Sequence, residues 1–157
     1  MTRNVLLDTN LLIAALDSSG RTSDEMKESA TAILTGLLND VEVKLFITPL
    51  IRYEVLRGVP WLNHENFNKL QNTLNQFPEL DITRNISELS ANLFRYDSWL
   101  MEQPGAAPRN LEKRKFDVFH FSSASCNRLE LCSNDSDIGK IRSLHDEYKT
   151  FRLLAQP

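Results

Sequence analysis

A short apolar run near the N-terminus ends on an acid and gives way within two residues to helix-like spacing. The run covers residues 4–7, the acid is Asp8, and apolar spacing resumes over residues 11–16. This pattern predicts a buried strand that delivers Asp8 to the carboxyl edge of a sheet, where open α/β folds place their ligand sites. A carboxylate there is costly unless something cationic neutralises it, so other acids that reach the same edge become important.

The length of 157 residues predicts one domain spanning residues 1–157, and the 41% hydrophobic and 25% charged residues are typical of a globular protein. No apolar run approaches the length that spans a bilayer, and Asp8 comes too early for a signal peptide, so we expect a soluble cytoplasmic protein. The formal net charge of −3 does not indicate a nucleic-acid binder, because phosphate affinity normally shows as a basic excess. A cation-binding cluster of acids would, however, make a basic surface look more acidic on average.

Strands and helices are predicted to alternate along the rest of the chain. Further strands are predicted at residues 41–48, 80–83, 129–133 and 151–154. The clearest helix start is Thr48-Pro49, where Thr48 caps the helix and Pro49 takes its first position. The alternation predicts an α/β protein with a mostly parallel sheet of four to five strands flanked by helices.

Three further acids are predicted to reach the edge where Asp8 lies. Asp135 follows the strand at residues 129–133, and Asp117 stands where a helix starts inside an otherwise apolar run. Parallel strands point their carboxyl ends the same way, so strand-end acids share one edge of the sheet. Glu54, in the helix after the second strand, can reach that edge too, although helix acids are more often solvated.

Four carboxylates in one place raise one another's pKa values, and a divalent cation resolves that conflict. Oxygen ligands favour Mg²⁺ or Mn²⁺ over zinc, and no His or Cys stands in any of the four positions. A carboxylate-bound Mg²⁺ that keeps its waters suits phosphoryl chemistry. The sequence has no glycine-rich phosphate loop and no Ser or Cys with an evident His partner, which argues against other catalytic classes.

The densest basic patch follows the loop at residues 104–108. It consists of Arg109, Lys113, Arg114 and Lys115. One interpretation is a solvated basic face, and the other is a rim that contacts the phosphates of a nucleic acid beside Asp117. Of the histidines, His64 and His145 are interpreted as surface helix residues. For His120, three residues beyond Asp117, contact with the acidic site is the less favoured interpretation.

The chain resembles a single-domain PIN protein of the VapC toxin type over nearly its full length. The resemblance rests on the sequence VLLDTN at residues 5–10, EVLRG at 54–58, Asp117 with its trailing small residues, and SNDSD at 133–137. It implies a PIN-like three-layer sandwich and Mg²⁺- or Mn²⁺-dependent cleavage of RNA. It also implies frequent homodimers and a small antitoxin that blocks or fills the acidic groove.

The resemblance also implies roles for single residues. The acidic set would be Asp8, Glu54, Asp117 and Asp135. Asp8 and Asp117 would be the foremost direct metal ligands, and Asn10 would be a polar site residue. Ser133 would stand where Thr is commoner, and Asp137 would be an accessory acid.

The chain departs from the family pattern after the third acid. The family usually has small and aliphatic residues there, whereas this chain has His120 and Phe121. Bulk at these positions would narrow the site or shift the packing of the helix. A milder departure is Ile138, where the family frequently has an aromatic residue.

Three classes of function remain open from the sequence. The first is a metal-dependent endoribonuclease, either the toxin of a toxin–antitoxin pair or an RNA-processing or decay nuclease outside such a pair. The second is a PIN-like scaffold that binds RNA or protein without cutting, which only His120 and Phe121 motivate. The third is a phosphoacceptor or phosphatase of another α/β fold, which is disfavoured because Asn10 stands where an Asp-x-Asp nucleophile pair needs its second acid.

Overall fold

The computed structural model describes residues 2–17, 19–133 and 137–155. Within these ranges the chain forms three strands and seven helices. In order they are β1 Arg3–Leu7, α1 Thr9–Leu16, α2 Asp24–Asn39, β2 Val43–Phe46, α3 Pro49–Arg57, α4 His64–Leu74, α5 Arg84–Met101, α6 Leu111–Cys126, β3 Glu130–Cys132 and α7 Asp137–Ala155. None of the described helices is long and apolar enough to cross a bilayer.

The three strands form a parallel sheet in the order β2-β1-β3, so β1 is the central strand. Val5 pairs with Leu45 on one side and with Glu130 on the other. The side chains of residues 5–7 are all buried, as expected for a central parallel strand covered on both faces. The predicted α/β fold with a parallel sheet flanked by helices is therefore confirmed.

The predicted number of four to five strands is wrong for the described part of the chain. Residues 80–83 were predicted to form a strand, but only an isolated parallel bridge between Ile47 and Glu79 occurs there. The N–H of Leu80 still donates to the Ile47 carbonyl at 2.9 Å. No ladder develops because Thr83 already caps α5, its hydroxyl accepting from the Ile86 N–H at 3.3 Å.

The predicted edge strand at residues 151–154 is also wrong, because these residues continue α7. The sequence contains no Gly or Pro between residues 140 and 156 that would interrupt a helix. The helix also has a tertiary partner at this end. The Phe151 ring lies 5.8 Å from the Tyr96 ring and 5.7 Å from the Trp99 ring, measured between centroids.

The starts of two helices position site residues. The predicted start of α3 is confirmed, since the Thr48 hydroxyl accepts from the Ile51 N–H at 3.2 Å. The predicted start of a helix at Asp117 is wrong, because α6 begins at Leu111 after its cap Asn110. Asp117 consequently lies in the second turn of α6, on its buried side.

Two hydrophobic clusters fix the helices around the sheet. The first surrounds β1 and includes residues of α1, α2, α3 and α4. The second joins α5, α6 and α7 through residues that include Leu93, Phe121 and Ile141. The Phe121 ring also meets the half-buried His145 ring edge-on, with 5.1 Å between centroids. Phe121 therefore packs between helices, and His145 is not the plain surface residue that the sequence predicted.

Candidate active site

Asp8 lies where the backbone leaves β1 and enters α1, at the carboxyl edge of the sheet. Its N–H donates to the Cys132 carbonyl at 2.9 Å, which ties this edge to β3. Its side chain is 1% exposed, and its Oδ2 accepts a hydrogen bond from the Ser133 hydroxyl at 2.6 Å. Burial raises the pKa of Asp8 above its ordinary value, and the opposing effects of His120 and Ser133 do not offset it.

Glu54 contacts two side chains from other helices, although the sequence alone made it only a weak candidate for the acidic site. The Thr9 hydroxyl, from the first turn of α1, donates to Glu54 Oε1 at 3.2 Å. His120 Nε2, from α6, contacts the same oxygen. Thr9 Oγ1 and His120 Nε2 are themselves 3.3 Å apart. These three residues form one group of buried and half-buried side chains, which we call the Thr9–Glu54–His120 cluster.

His120 contacts Glu54 and is also influenced by the charges of Asp8 and Asp117. Its burial acts to lower its pKa, but the hydrogen bond and charge of Glu54 and the charges of Asp8 and Asp117 raise it. The net result is a pKa of His120 above the ordinary value. The charges of acids at the end of β1, in α3 and in α6 thus all act on the buried imidazole. His120 therefore contacts one of the predicted acids, Glu54, in line with the less favoured interpretation.

The fourth predicted acid, Asp135, lies outside the described residues. Within residues 2–17, 19–133 and 137–155, no group of three or more His, Cys, Asp or Glu side chains is arranged to hold a metal ion. The carboxylates gathered near His120 have the oxygen chemistry that Mg²⁺ and Mn²⁺ prefer. The donor types therefore fit such an ion, although the described residues alone do not form a complete ligand set.

The three predicted accessory residues have different surroundings. Asn10 is a half-buried residue of the first turn of α1, and Ser133 contacts Asp8. Asp137 begins α7 and pairs with Lys113 Nζ at 2.7 Å and with Lys140 Nζ at 3.0 Å. The hydrogen bond from Lys113, with that from Lys140, lowers the pKa of Asp137 to about 2. Asp137 is therefore an anion already held between two ammonium groups.

The predicted basic rim is largely engaged in ion pairs with the protein itself. Arg109 and Arg114 both contact the buried carboxylate of Asp97 in α5, and Arg114 Nε lies 3.1 Å from Asp97 Oδ2. Lys115 pairs with Glu112 at 2.7 Å. Two members of the patch thus join the loop before α6 and α6 itself to α5. Contact of these cations with RNA stays a prediction.

Most of the patch nevertheless lines a cleft together with Asp117. This cleft has a volume of about 470 Å³ and is bounded by α5, α6, α7 and the loop before α6. Its lining includes Arg109, Lys113, Arg114, Asp117 and Asp137. Three of the four predicted rim residues therefore face the same space as one of the predicted metal ligands.

Asp97 is the buried acid that reasoning from the sequence missed. The buried face of α5 consists of Ile86, Ser90, Leu93 and Asp97, which recur at helical spacing. An acid in the same register as three buried positions indicates an internal ion pair. The spacing of His120 three residues after Asp117 is a similar signal, since it places both side chains on one side of α6.

No protein-family model matches the chain, and no curated protein matches it in sequence. Solved structures do match its fold. A chain of VapBC2 from Rickettsia felis, solved with a DNA fragment from their promoter, is 19% identical with a TM-score of 0.60, and the match covers 87% of this chain and 92% of that one. A toxin–antitoxin complex from Klebsiella pneumoniae is 22% identical with a TM-score of 0.55, covering 84% and 87%.

A third structure is VapC20 from Mycobacterium tuberculosis, a toxin that cleaves the sarcin–ricin loop. It is 10% identical with a TM-score of 0.59, and the match covers 87% of this chain and 93% of that one. These three structures are toxins or toxin–antitoxin complexes. The resemblance to VapC-type PIN proteins is therefore confirmed at the level of the fold.

Proposed function

We propose that this chain is a metal-dependent endoribonuclease that hydrolyses RNA phosphodiester bonds as the toxin of a toxin–antitoxin pair. One observation carries the proposal: Glu54 contacts both Thr9, which follows Asp8 at the carboxyl edge of the sheet, and His120, which lies one turn after Asp117 in α6. Placing several carboxylates close together out of solvent costs free energy, and the packing of the core does not require it. A function that uses negative charge at this edge explains why the acids are there.

The proposed cofactor is Mg²⁺ or Mn²⁺, with Asp8 and Asp117 as its main ligands and Glu54 and Asp135 completing the acidic set. Such an ion would activate a water molecule and offset the charge that builds on the phosphate. Ser133 holds the carboxylate of Asp8 through Oδ2. Thr9 and His120 hold Glu54 through Oε1, so that Oε2 is the oxygen not engaged by these two side chains.

RNA cleavage in the presence of Mg²⁺ or Mn²⁺ tests the proposal. We expect Asp8→Asn and Asp117→Asn each to abolish cutting while the far-ultraviolet circular dichroism stays that of the wild type. Asp146→Asn is a matched control, because Asp146 is an exposed acid of α7 that pairs with Lys149 at 3.5 Å. If both site variants cut as well as the wild type, the proposed site is wrong.

The toxin part of the proposal is supported by the toxin–antitoxin complexes among the structures of similar fold. It requires a small antitoxin partner, and the resemblance further suggests a homodimer. Expression of the chain alone should arrest growth, and co-expression of a short neighbouring gene product should restore it. An RNA-processing or decay nuclease outside such a pair is the near alternative, and it would cut RNA without being silenced by any neighbouring product.

A second candidate is a PIN-like scaffold that binds RNA or protein without cutting. The contact between His120 and Glu54 favours it, because His120 occupies an oxygen that a metal ion would otherwise use. Calorimetry with Mn²⁺ discriminates between the two. Micromolar or tighter binding that is lost in Asp8→Asn would count heavily against the scaffold, and absence of binding would count against the nuclease.

A further inference from the structure

Cations and aromatic rings alternate across the surface from α3 to α6. The guanidinium carbon of Arg57 lies 5.4 Å from the ring centroid of Tyr53 and 4.9 Å from that of Phe116. Nζ of Lys115 lies 5.4 Å from the Phe116 centroid. These are cation–π distances. We call Tyr53, Arg57, Lys115 and Phe116 the cation–aromatic strip.

The strip begins next to a predicted acid on each of the two helices. Tyr53 immediately precedes Glu54 in α3, and Phe116 immediately precedes Asp117 in α6. Arg57, in the last turn of α3, reaches over to α6 through its contact with Phe116. The strip therefore lies on the same two helices, α3 and α6, as Glu54 and Asp117.

The strip is accessible to a partner. The Tyr53 side chain is 54% exposed, Arg57 is exposed and Phe116 is half-buried. Lys115 forms an ion pair with Glu112, whereas no carboxylate of the described ranges forms one with Arg57. A guanidinium that lies between two rings and is in no ion pair with a described carboxylate attracts both a phosphate and the face of a base.

We propose that the cation–aromatic strip is a base-stacking subsite, in which Tyr53 stacks on one base of a single-stranded RNA while Arg57 contacts a flanking phosphate. Proteins commonly bind unpaired bases on aromatic and guanidinium planes next to a positive charge. This inference rests on the proposed ribonuclease function and adds to it the residues that hold the strand beside the acids.

A purely structural role for the strip would not require Tyr53. If the rings served only to join α3 to α6, Arg57 and Phe116 would suffice, since those two residues make the contact between the helices. Tyr53 lies on the same helix as Arg57 and leaves more than half of its side chain in solvent. Its replacement therefore tests the subsite with little effect on packing.

Equilibrium binding to the whole 157-residue chain in EDTA tests the subsite without any dependence on catalysis. The probe is a short labelled single-stranded RNA, compared by fluorescence anisotropy with an abasic strand of the same length. We expect Tyr53→Ala to weaken binding of the base-containing strand about tenfold and to leave the abasic strand unaffected. Tyr53→Phe keeps the ring and should bind as the wild type does. Trp99→Ala is the matched control, because Trp99 is 46% exposed but lies on α5.

The outcomes separate the subsite from the nuclease. The subsite would be overturned if the Tyr53→Ala variant bound both strands as tightly as the wild type, or if its affinity for both fell equally. That holds even if the wild type cuts RNA. A wild type that binds neither strand would overturn it too. Base-dependent binding that Tyr53→Ala removes, in a protein that cuts no RNA with Mg²⁺ or Mn²⁺, would support the subsite and overturn the nuclease.

Discussion

Ser133 donates its hydroxyl hydrogen to Oδ2 of Asp8 across 2.6 Å, which joins the residue that follows β3 to the residue that follows β1. A hydrogen bond to a buried carboxylate fixes its orientation and is worth more than one between neutral groups. We expect Ser133→Ala to lower kcat/KM for RNA cleavage about tenfold, in keeping with ~1.5 kcal/mol for such a bond. Ser133→Thr keeps the hydroxyl and should retain most of the activity. Equal rates for the Ala and Thr variants would argue against an orienting role.

His120 engages an oxygen of Glu54 that a metal ion would otherwise use. We expect His120→Leu to destabilise the metal-free protein by about 1–3 kcal/mol, because Glu54 loses a buried partner. We also expect the variant to bind Mn²⁺ more tightly than the wild type, since Oε1 of Glu54 is released. Urea unfolding without metal and calorimetry with Mn²⁺ measure the two effects. Weaker Mn²⁺ binding in the variant would mean that His120 supports the metal site instead of competing with it.

The buried carboxylate of Asp97 holds Arg109 and Arg114 against α5. Asp97→Asn should lower the free energy of unfolding by about 3–5 kcal/mol, because it leaves the largely buried Arg114 without its counter-charge. Urea unfolding monitored by tryptophan fluorescence measures this loss. Glu112→Gln, which breaks the exposed pair with Lys115, serves as the control and should change stability by less than about 1 kcal/mol. Equal losses in the two variants would show that burial of the pair is unimportant.

Lys113 and Lys115 are the members of the basic patch that do not contact Asp97. Neutralising both to Gln should weaken RNA binding and lower the slope of log K against log salt by about 1–2, without a large loss of stability. Binding titrations over a range of salt concentrations give the slope. An unchanged slope would discard the idea that these two lysines contact phosphates.

The Asp17 carboxylate at the end of α1 accepts hydrogen bonds from the backbone N–H groups of Ser19 and Thr22, both at 2.7 Å. The hydrogen bonds from Ser19, followed by those from Thr22, hold the pKa of Asp17 well below its ordinary value. A depressed pKa stabilises the fold above the pKa of the unfolded chain, and this contribution fades as the pH falls through the folded pKa. Asp17→Asn should therefore lower the melting temperature at neutral pH but much less in strong acid. A pH-independent difference would exclude the charge as its cause.

Local patterns in the sequence predicted the parts of the site that local forces create. The apolar run before Asp8 and the Thr48-Pro49 pair each specify a conformation within a few residues. The strand predicted from the first and the helix start predicted from the second are both confirmed. Residues 80–83 also have a strand-like pattern, but a strand forms only where several residues in a row can pair with a neighbour. Here Thr83 already caps α5, so only the isolated bridge between Ile47 and Glu79 forms. Local propensity cannot report such a competition.

The role of Glu54 was difficult to predict because its partners are remote in sequence. Thr9 lies 45 residues before it and His120 lies 66 residues after it. A solvated helix acid and a buried one share the same local pattern, so only the tertiary contacts distinguish them. Asp97 differs, because its register with Ile86 and Leu93 was visible in the sequence.

The central position of β1 has a consequence for the synthesis of the chain. Val5 pairs with Glu130, and the hydrogen bond between Ser133 and Asp8 spans 125 residues, so this edge of the sheet closes only after β3 has been made. A ribosome releases the N-terminal part first, and contacts so distant in sequence form late in folding. A nascent chain that already carries Asp8 and Glu54 therefore still lacks an assembled site. A ribonuclease built in this way would spare its own message and the ribosome that translates it until β3 has been synthesised.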